Sequence, residues 1–469
     1  MKNTRRYFLK TVCVGIPLIN SHSLHSWAKK RTYNRPNFLF ILTDDQCYDA
    51  LGCTGNPLIH TPTLDSLAAR GIRFENAFVT CSICSPSRAV CLTGRYGSAN
   101  GVMKVGGGLN EDEKTIVHYL RKAGYFCGMV GKWHLANSPA WCGFDVFDYF
   151  ESNGRYYNRS VFESGEKKVV EGFIEDYNAA RSCDFLEKAA SNNQPFFLFH
   201  CTQVPHMNHE FDWNARPQTL TLYNERDMPV PAAWQDDLSG KPPYLKESRS
   251  RTQALKYGYD KKEAIQRHKQ RYYAAITEMD ASLGKLIDKL DKLGLRENTI
   301  IIVMGDNGWF LGEHGFTSKV LPYEESIRVP MIICGPGIET GVTRNLVLNA
   351  DLAPTILELA NIAVPHNLHG HSLHPLLKKD GNHVWREAFL YEALESQLGS
   401  WPLLAVRTNR WKYIQTFDLN DPTKLVFEEL YDLECDPTER LNRVYEQSFV
   451  FVKEQLADEL VRIKERLEE

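Results

Sequence analysis

The feature that most constrains this chain is an apolar run that stops at two carboxylates: Arg35-Pro36-Asn37-Phe38-Leu39-Phe40-Ile41-Leu42-Thr43-Asp44-Asp45. An unbroken run of this kind is the pattern of a central strand covered on both faces. It returns far along the chain as Thr299-Ile300-Ile301-Ile302-Val303-Met304-Gly305-Asp306-Asn307. Open α/β sheets gather ligands at the carboxyl ends of their strands, so both acidic pairs are expected at one site. Between them the sequence predicts helices at 62–70 and 112–123 and a strand at 126–130 leading into Gly131-Lys132-Trp133-His134. A strand at 195–200 leads into Val204-Pro205-His206, and a long helix covers 261–293. Strand followed by helix, repeated, predicts an α/β sandwich. The stretch 208–259 is polar and Pro-rich, and reads equally as a surface excursion or as a functional loop beside the site.

At 469 residues the chain exceeds the roughly 250–300 at which a single core stops growing, which predicts one large domain and a smaller one. After His366 the texture changes: strands are predicted at 388–391, 403–407 and 411–415, with Glu429-Leu430-Tyr431-Asp432-Leu433 following and an amphipathic helix at 447–467. A net charge of −3 gives no general footprint for nucleic acid, which is not an expected partner.

Residues 1–28 read as a processed export signal, with Lys2, Arg5, Arg6 and Lys10, a short apolar run at 12–19, and small residues at Ser26 and Ala28. The run is too short to span a bilayer, so no integral membrane segment is expected in the mature chain. Thr4-Arg5-Arg6-Tyr7-Phe8-Leu9-Lys10 resembles the twin-arginine motif, implying a periplasmic or secreted protein in a bacterium. Cys13 follows Lys10-Thr11-Val12, which does not resemble a lipobox. The twelve cysteines are irregularly spaced and suggest no disulfide framework. Cys81 and Cys91 read as core or disulfide residues.

The run Cys84-Ser85-Pro86-Ser87-Arg88-Ala89-Val90-Cys91-Leu92-Thr93-Gly94-Arg95 resembles, without a mismatch, the type I sulfatase signature Cys-x-Pro-Ser-Arg-x-x-x-Leu-Thr-Gly-Arg. The resemblance extends from Arg35 to the terminal helix and includes Leu430-Tyr431-Asp432-Leu433-x-x-Asp436-Pro437. It implies an alkaline-phosphatase-like α/β fold: a large mixed sheet flanked by helices, with a smaller C-terminal antiparallel sheet and a terminal helix. The catalytic domain would cover 31–365 and the C-terminal subdomain 366–469.

The resemblance also implies the chemistry. A maturing enzyme, aerobic or anaerobic, would oxidise Cys84 to Cα-formylglycine, whose hydrate is the nucleophile. One Ca2+ per chain would be held by Asp44, Asp45, Asp306 and Asn307 with the group at Cys84, an oxygen-rich set suited to a hard cation. Alone, an Asp-Asp pair at a strand end is an ordinary turn or cap; the metal reading rests on two pairs accompanying the signature. Gly305 stands where Ser is frequent in the family. Arg88 would stabilise the formylglycine, and Pro86 and Ser87 would belong to the maturation signal. Arg95 would bind the same loop. Lys132 and Lys319 would bind sulfate oxygens, His134 would support the diol, and His206 or Lys319 would protonate the leaving alcohol, with His206 favoured because imidazole titrates near neutrality. His314 would touch substrate. His209 lies three residues after His206, but too few ligands surround the pair for zinc. Trp309 and Phe310 read as core or as a sugar platform.

The implied activity is hydrolysis of sulfate esters, most naturally on a sulfated carbohydrate such as a polysaccharide or a glycosaminoglycan fragment. Two rivals stand beside it: a phosphonate or phosphodiester hydrolase of the same superfamily, and a catalytically silent sulfated-glycan-binding protein with unmatured Cys84.

Overall fold

The computed structural model describes residues 35–378 other than 193, and residues 384–468. The predicted export signal lies outside them. Among the described residues no helix is long and apolar enough to cross a membrane.

Asn37–Thr43 runs parallel to and between Thr299–Gly305 and Phe196–Cys201. Phe126–Lys132 and Val146–Phe150 extend the parallel run on one side. The short strands Met331–Cys334, Gly71–Phe74 and Gly341–Thr343 finish the sheet on the other, and the hairpin Tyr157–Glu163 and Glu166–Phe173 closes the far edge, giving ten strands of mixed direction.

Period-2 alternation explains why the central strands are apolar throughout. Phe38, Phe40 and Leu42 face the helices Cys84–Thr93, Ile116–Lys122 and Leu352–Leu359. Leu39 and Ile41 face the helices Lys262–Lys292, Pro62–Ala69 and Ile174–Asn192. Both sides are core, so no polar residue interrupts until the strand ends.

A second, antiparallel sheet is formed by Ala388–Ala393, Leu403–Thr408, Trp411–Phe417 and Leu425–Asp432. Leu390, Leu404, Val406, Tyr413 and Leu430 on one face pack on Leu456, Leu460 and Ile463 of the terminal helix Val450–Glu468. The opposite face, with Tyr391, Ala405, Ile414 and Tyr431, packs on Ile83 and Val90 and on Val320, Leu321 and Tyr323. That sheet therefore buttresses both the helix that begins at Cys84 and the loop that carries Lys319.

The stretch 208–259 is partly internal. Trp213, Tyr223, Met228 and Tyr259 are buried, against the long helix among others. The eleven described cysteines, Cys81 and Cys91 included, are all free thiols.

Candidate active site

The parallel strands deliver their side chains to one edge. Asp44 and Asp45 follow Asn37–Thr43, Asp306 and Asn307 follow Thr299–Gly305, and Lys132 ends its own strand. Gly131 precedes Lys132 with φ of +100°, where a Cβ would lie 1.8 Å from the Cys201 carbonyl oxygen; only glycine fits that approach. Cys84 opens the helix Cys84–Thr93, every residue of which is buried. Its position in the first turn places it where free amide groups favour an anion.

Two ammonium groups converge on the sulfur. Lys319 Nζ lies 2.7 Å and Lys132 Nζ 3.5 Å from Cys84 Sγ, and Sγ lies 3.3 Å from Asp44 Oδ1. Lys132 pairs with Asp44, and Lys319 with Asp45. Lys319 also donates to Asn307 Oδ1 at 3.3 Å. It sits between Ser318 and Val320, both with left-handed φ of 76° and 85°. For a β-branched valine that is a strained conformation, of the kind that clusters at functional sites.

Arg88 is 1% exposed and donates to Asp306 Oδ2 through Nε at 3.0 Å and Nη2 at 2.8 Å, and to the Lys132 carbonyl at 2.7 Å. Asp306 Oδ1 accepts the Asp45 amide at 3.1 Å, and Asn307 Nδ2 donates to Asp45 Oδ1 at 2.5 Å. His206 Nε2 faces Asp45 Oδ2 at 3.4 Å, while its Nδ1 lies 2.7 Å from the Met207 carbonyl.

Burial and the local charges set the protonation states. Burial alone would raise the Asp44 carboxyl, but Lys132, His206, Arg88 and Lys319 hold it well below the usual range. Burial and the Asp44 charge push the Cys84 thiol up to about 12, against the pull of the two lysines. An unmodified Cys84 is therefore a neutral thiol, without the thiolate that nucleophilic attack needs. Burial and Asp44 raise Asp306 to about 7, against Arg88. Burial, Lys132 and Arg88 push His134 down to about 2, keeping it neutral. Burial lowers His206, with Asp45 and Asp44 pulling the other way. Asp45 and Asp44 hold Lys319 firmly protonated despite its burial.

One donor atom each from Asp44, Asp45, Cys84 and His206 lies within 4.8 Å of the others, a grouping able to hold a metal ion. Asp45 Oδ2 is buried without a hydrogen-bond donor. Stacked carboxylates with an unsatisfied oxygen are the donor chemistry of a hard cation.

The chain matches the sulfatase family over residues 36–362. It belongs to that family. Residues 312–466 also match the family described as N-sulphoglucosamine sulphohydrolase, C-terminal. An N-acetylglucosamine-6-O-sulfatase of Bacteroides thetaiotaomicron is 30% identical over 94% of this chain and 87% of its own. Human arylsulfatase A is 30% identical over 87% of this chain and 83% of its own. A protein solved with its substrate D-glucosamine-2-N,6-O-disulfate is similar with a TM-score of 0.83 at 29% identity, over 92% of this chain and 98% of that one. A phosphonate monoester hydrolase of Agrobacterium radiobacter shares the fold, with a TM-score of 0.75 at 20% identity over 92% and 96%. This sulfatase is a sulfuric ester hydrolase of the alkaline phosphatase superfamily.

Several residues singled out from the sequence have their own partners in the sulfatase. His314 is fully buried, bonds Asp236 Oδ2 at 2.7 Å and packs on Phe316 and Tyr323. Burial and Lys241 push it down to about 4, against Asp236. His209 is exposed beside Glu210. Arg95 pairs with Glu113 at 2.7 Å. Ser87 Oγ accepts from Asn349 at 3.0 Å. Phe310 is core, whereas Trp309, 7% exposed, lies between the site and the core, 5.9 Å from the His206 ring and 5.8 Å from Lys319 Nζ.

Two contributors escaped sequence reasoning. Tyr272 donates to the Asp45 carbonyl and accepts the Cys47 amide, each at 2.8 Å, fixing the turn after the first strand; on an amphipathic helix it reads as one more core aromatic. Ser85 donates to the His134 carbonyl at 2.6 Å and accepts the Gly106 amide at 2.9 Å. Its place inside the signature was the available signal.

Proposed function

We propose that this sulfatase is exported and removes sulfate from sulfated carbohydrate, with 6-O-sulfated glucosamine units of polysaccharide or glycosaminoglycan fragments as the substrate class. It uses a formylglycine made from Cys84 by a maturing enzyme, and one Ca2+. The carrying observation is the convergence of Lys319 and Lys132 on Cys84 Sγ beside the buried acids. The substrate class is supported by the likeness to the N-acetylglucosamine-6-O-sulfatase and to the protein solved with glucosamine disulfate.

Asp44, Asp45, Asp306 and Asn307 would hold the calcium ion together with the group made from Cys84. Bound there, the ion supplies Lewis acidity and neutralises a sulfate oxygen. A hydrated aldehyde at position 84 would supply a geminal pair of hydroxyls, which neither cysteine nor serine offers.

The remaining work falls to the side chains. Lys132 and Lys319 bind sulfate oxygens and neutralise charge that grows toward the transition state. Arg88 fixes the Asp306 carboxylate and the Lys132 backbone. His134 is neutral, and its buried Nδ1 has no partner, leaving that nitrogen for the nucleophile's hydroxyl. His206 donates its Nδ1 proton to the Met207 carbonyl, so Nε2 carries a proton for the leaving alcohol in the imidazolium form, which burial opposes and Asp45 and Asp44 favour.

The test is sulfate release from glucosamine 6-sulfate, its N-acetyl and N-sulfo forms, other sulfated sugars, an aryl sulfate and a phosphonate monoester, using protein coexpressed with a maturing enzyme. Preference for the 6-O-sulfated sugars supports the proposal. Turnover of the phosphonate alone contradicts it, and binding of sulfated sugar without turnover by protein whose Cys84 stays a thiol despite the maturing enzyme would indicate the silent binder.

A further inference from the structure

His206 lies in a turn whose backbone is anchored at every residue from 203 to 206. Glu175 Oε1 accepts the amides of Gln203 and Val204 at 2.7 and 2.9 Å. Trp213 Nε1 donates to the Pro205 carbonyl at 2.6 Å, and Tyr156 Oη donates to the His206 carbonyl at 2.6 Å. Glu175, Trp213 and Tyr156 are 1%, 1% and 2% exposed. A buried carboxylate gripping two successive amides is costly to place unless its hydrogen bonds are all made, and its other oxygen is met by Asn178 Nδ2 at 2.9 Å.

The two anchors that flank the imidazole come from one device. Tyr156 stands just before the hairpin Tyr157–Glu163 and Glu166–Phe173, and Glu175 just after it, in the first turn of Ile174–Asn192. The Ile174 amide donates to the Tyr156 carbonyl at 2.8 Å, closing the base of the hairpin. The edge of the large sheet thus holds both ends of the turn that aims His206 at Asp45.

We propose that Glu175 and Tyr156 are positioning residues for His206, Glu175 through the amides of Gln203 and Val204 and Tyr156 through the His206 carbonyl. This rests on the reading of His206 as the proton donor to the leaving alcohol. A displacement near 1 Å of such a group costs about a hundredfold in rate. Gln at 175 keeps a carbonyl for the two amides. Its NH2 can face Asn178 once that amide turns over, since Asn178 Oδ1 has no partner.

The experiment measures kcat and KM for the preferred 6-O-sulfated sugar in matured enzyme of equal aldehyde content, for Glu175→Ala, Glu175→Gln, Tyr156→Phe and His206→Ala. Glu175→Ala and Tyr156→Phe are then repeated in the His206→Ala background. The expected result is a kcat loss of about 10- to 100-fold for Glu175→Ala and about tenfold for Tyr156→Phe, with KM within about threefold. Glu175→Gln should stay within about threefold of the parent, and the losses should shrink to less than about threefold once His206 is gone. Losses that persist undiminished in His206→Ala, or a Glu175→Gln as poor as Glu175→Ala, overturn the inference while the reading of His206 stands. A His206→Ala enzyme that keeps most of its kcat overturns that reading instead. If Glu175→Ala does not fold, Tyr156→Phe and its double variant carry the same decision.

Discussion

Lys319 Nζ stands 2.7 Å from Cys84 Sγ and, at the same time, pairs with Asp45 and bonds Asn307. One ammonium thus ties the reactive position to both acidic strand ends. It also points to the place where a sulfate oxygen would displace one of these contacts.

Lys319→Ala should therefore lower kcat/KM by about 10²- to 10³-fold, the range for removing one preorganised donor to developing negative charge. Steady-state kinetics on the preferred sulfated sugar check this, with aldehyde content measured on the same sample.

Arg88 gives Asp306 two hydrogen bonds and a countercharge in full burial. Asp306, already raised to about 7 by burial and Asp44, would lose the largest of the opposing charges, keeping only Lys319 and Lys132. Arg88→Met should leave it protonated near neutrality and weaken Ca2+ binding about 10- to 100-fold, as loss of a ligand's supporting partner does. The check is the rise of the unfolding temperature with added Ca2+ after chelation. For the parent, a hundredfold excess over Kd is worth about 2.7 kcal/mol; the variant should need more calcium for the same shift.

Glu175 carries a pH signature. Burial raises it from 4.5 to about 7 in the folded protein, against the amides it accepts. The folded state then holds a proton that the unfolded state has released, so this contribution is fully present below about 4.5 and is lost as pH rises through 7. The difference is of order 3 kcal/mol. Urea midpoints of parent and Glu175→Gln, compared from pH 5 to 8, should diverge in favour of the variant as pH rises.

Beneath the second sheet, Lys412 is fully buried between Glu324 at 2.9 Å and Glu439 at 2.7 Å. Removing the cation leaves the buried Glu439 carboxylate uncompensated, while Glu324 keeps Arg407 at 3.2 Å, and breaking such a buried pair costs about 3–5 kcal/mol. Lys412→Met should lower the urea midpoint accordingly, while kcat per folded molecule holds.

The strands that end in acids were legible because a strand buried on both faces must be apolar until it reaches the site, as Phe38 to Leu42 and Ile300 to Met304 are. The hairpin at 157–173 is not legible in the sequence. Its strand Glu166–Phe173 is mostly exposed and rich in Lys and Glu, so it lacks the apolar signal of a sheet strand. With it went Tyr156 and Glu175, the latter reading as an ordinary acid in the first turn of a helix. His314 follows the second acidic pair closely in sequence. Left-handed conformations at Gly312 and His314, with φ of 104° and 53°, accompany a turn that seats its Nδ1 against Asp236.

The measurement that tests the account most directly compares sulfate release with aldehyde content at position 84, by peptide mass, across preparations made with and without a maturing enzyme and in Cys84→Ala. Activity should be proportional to the aldehyde fraction and pass through zero, with none in Cys84→Ala. Equal activity from protein whose Cys84 remains a thiol would contradict it.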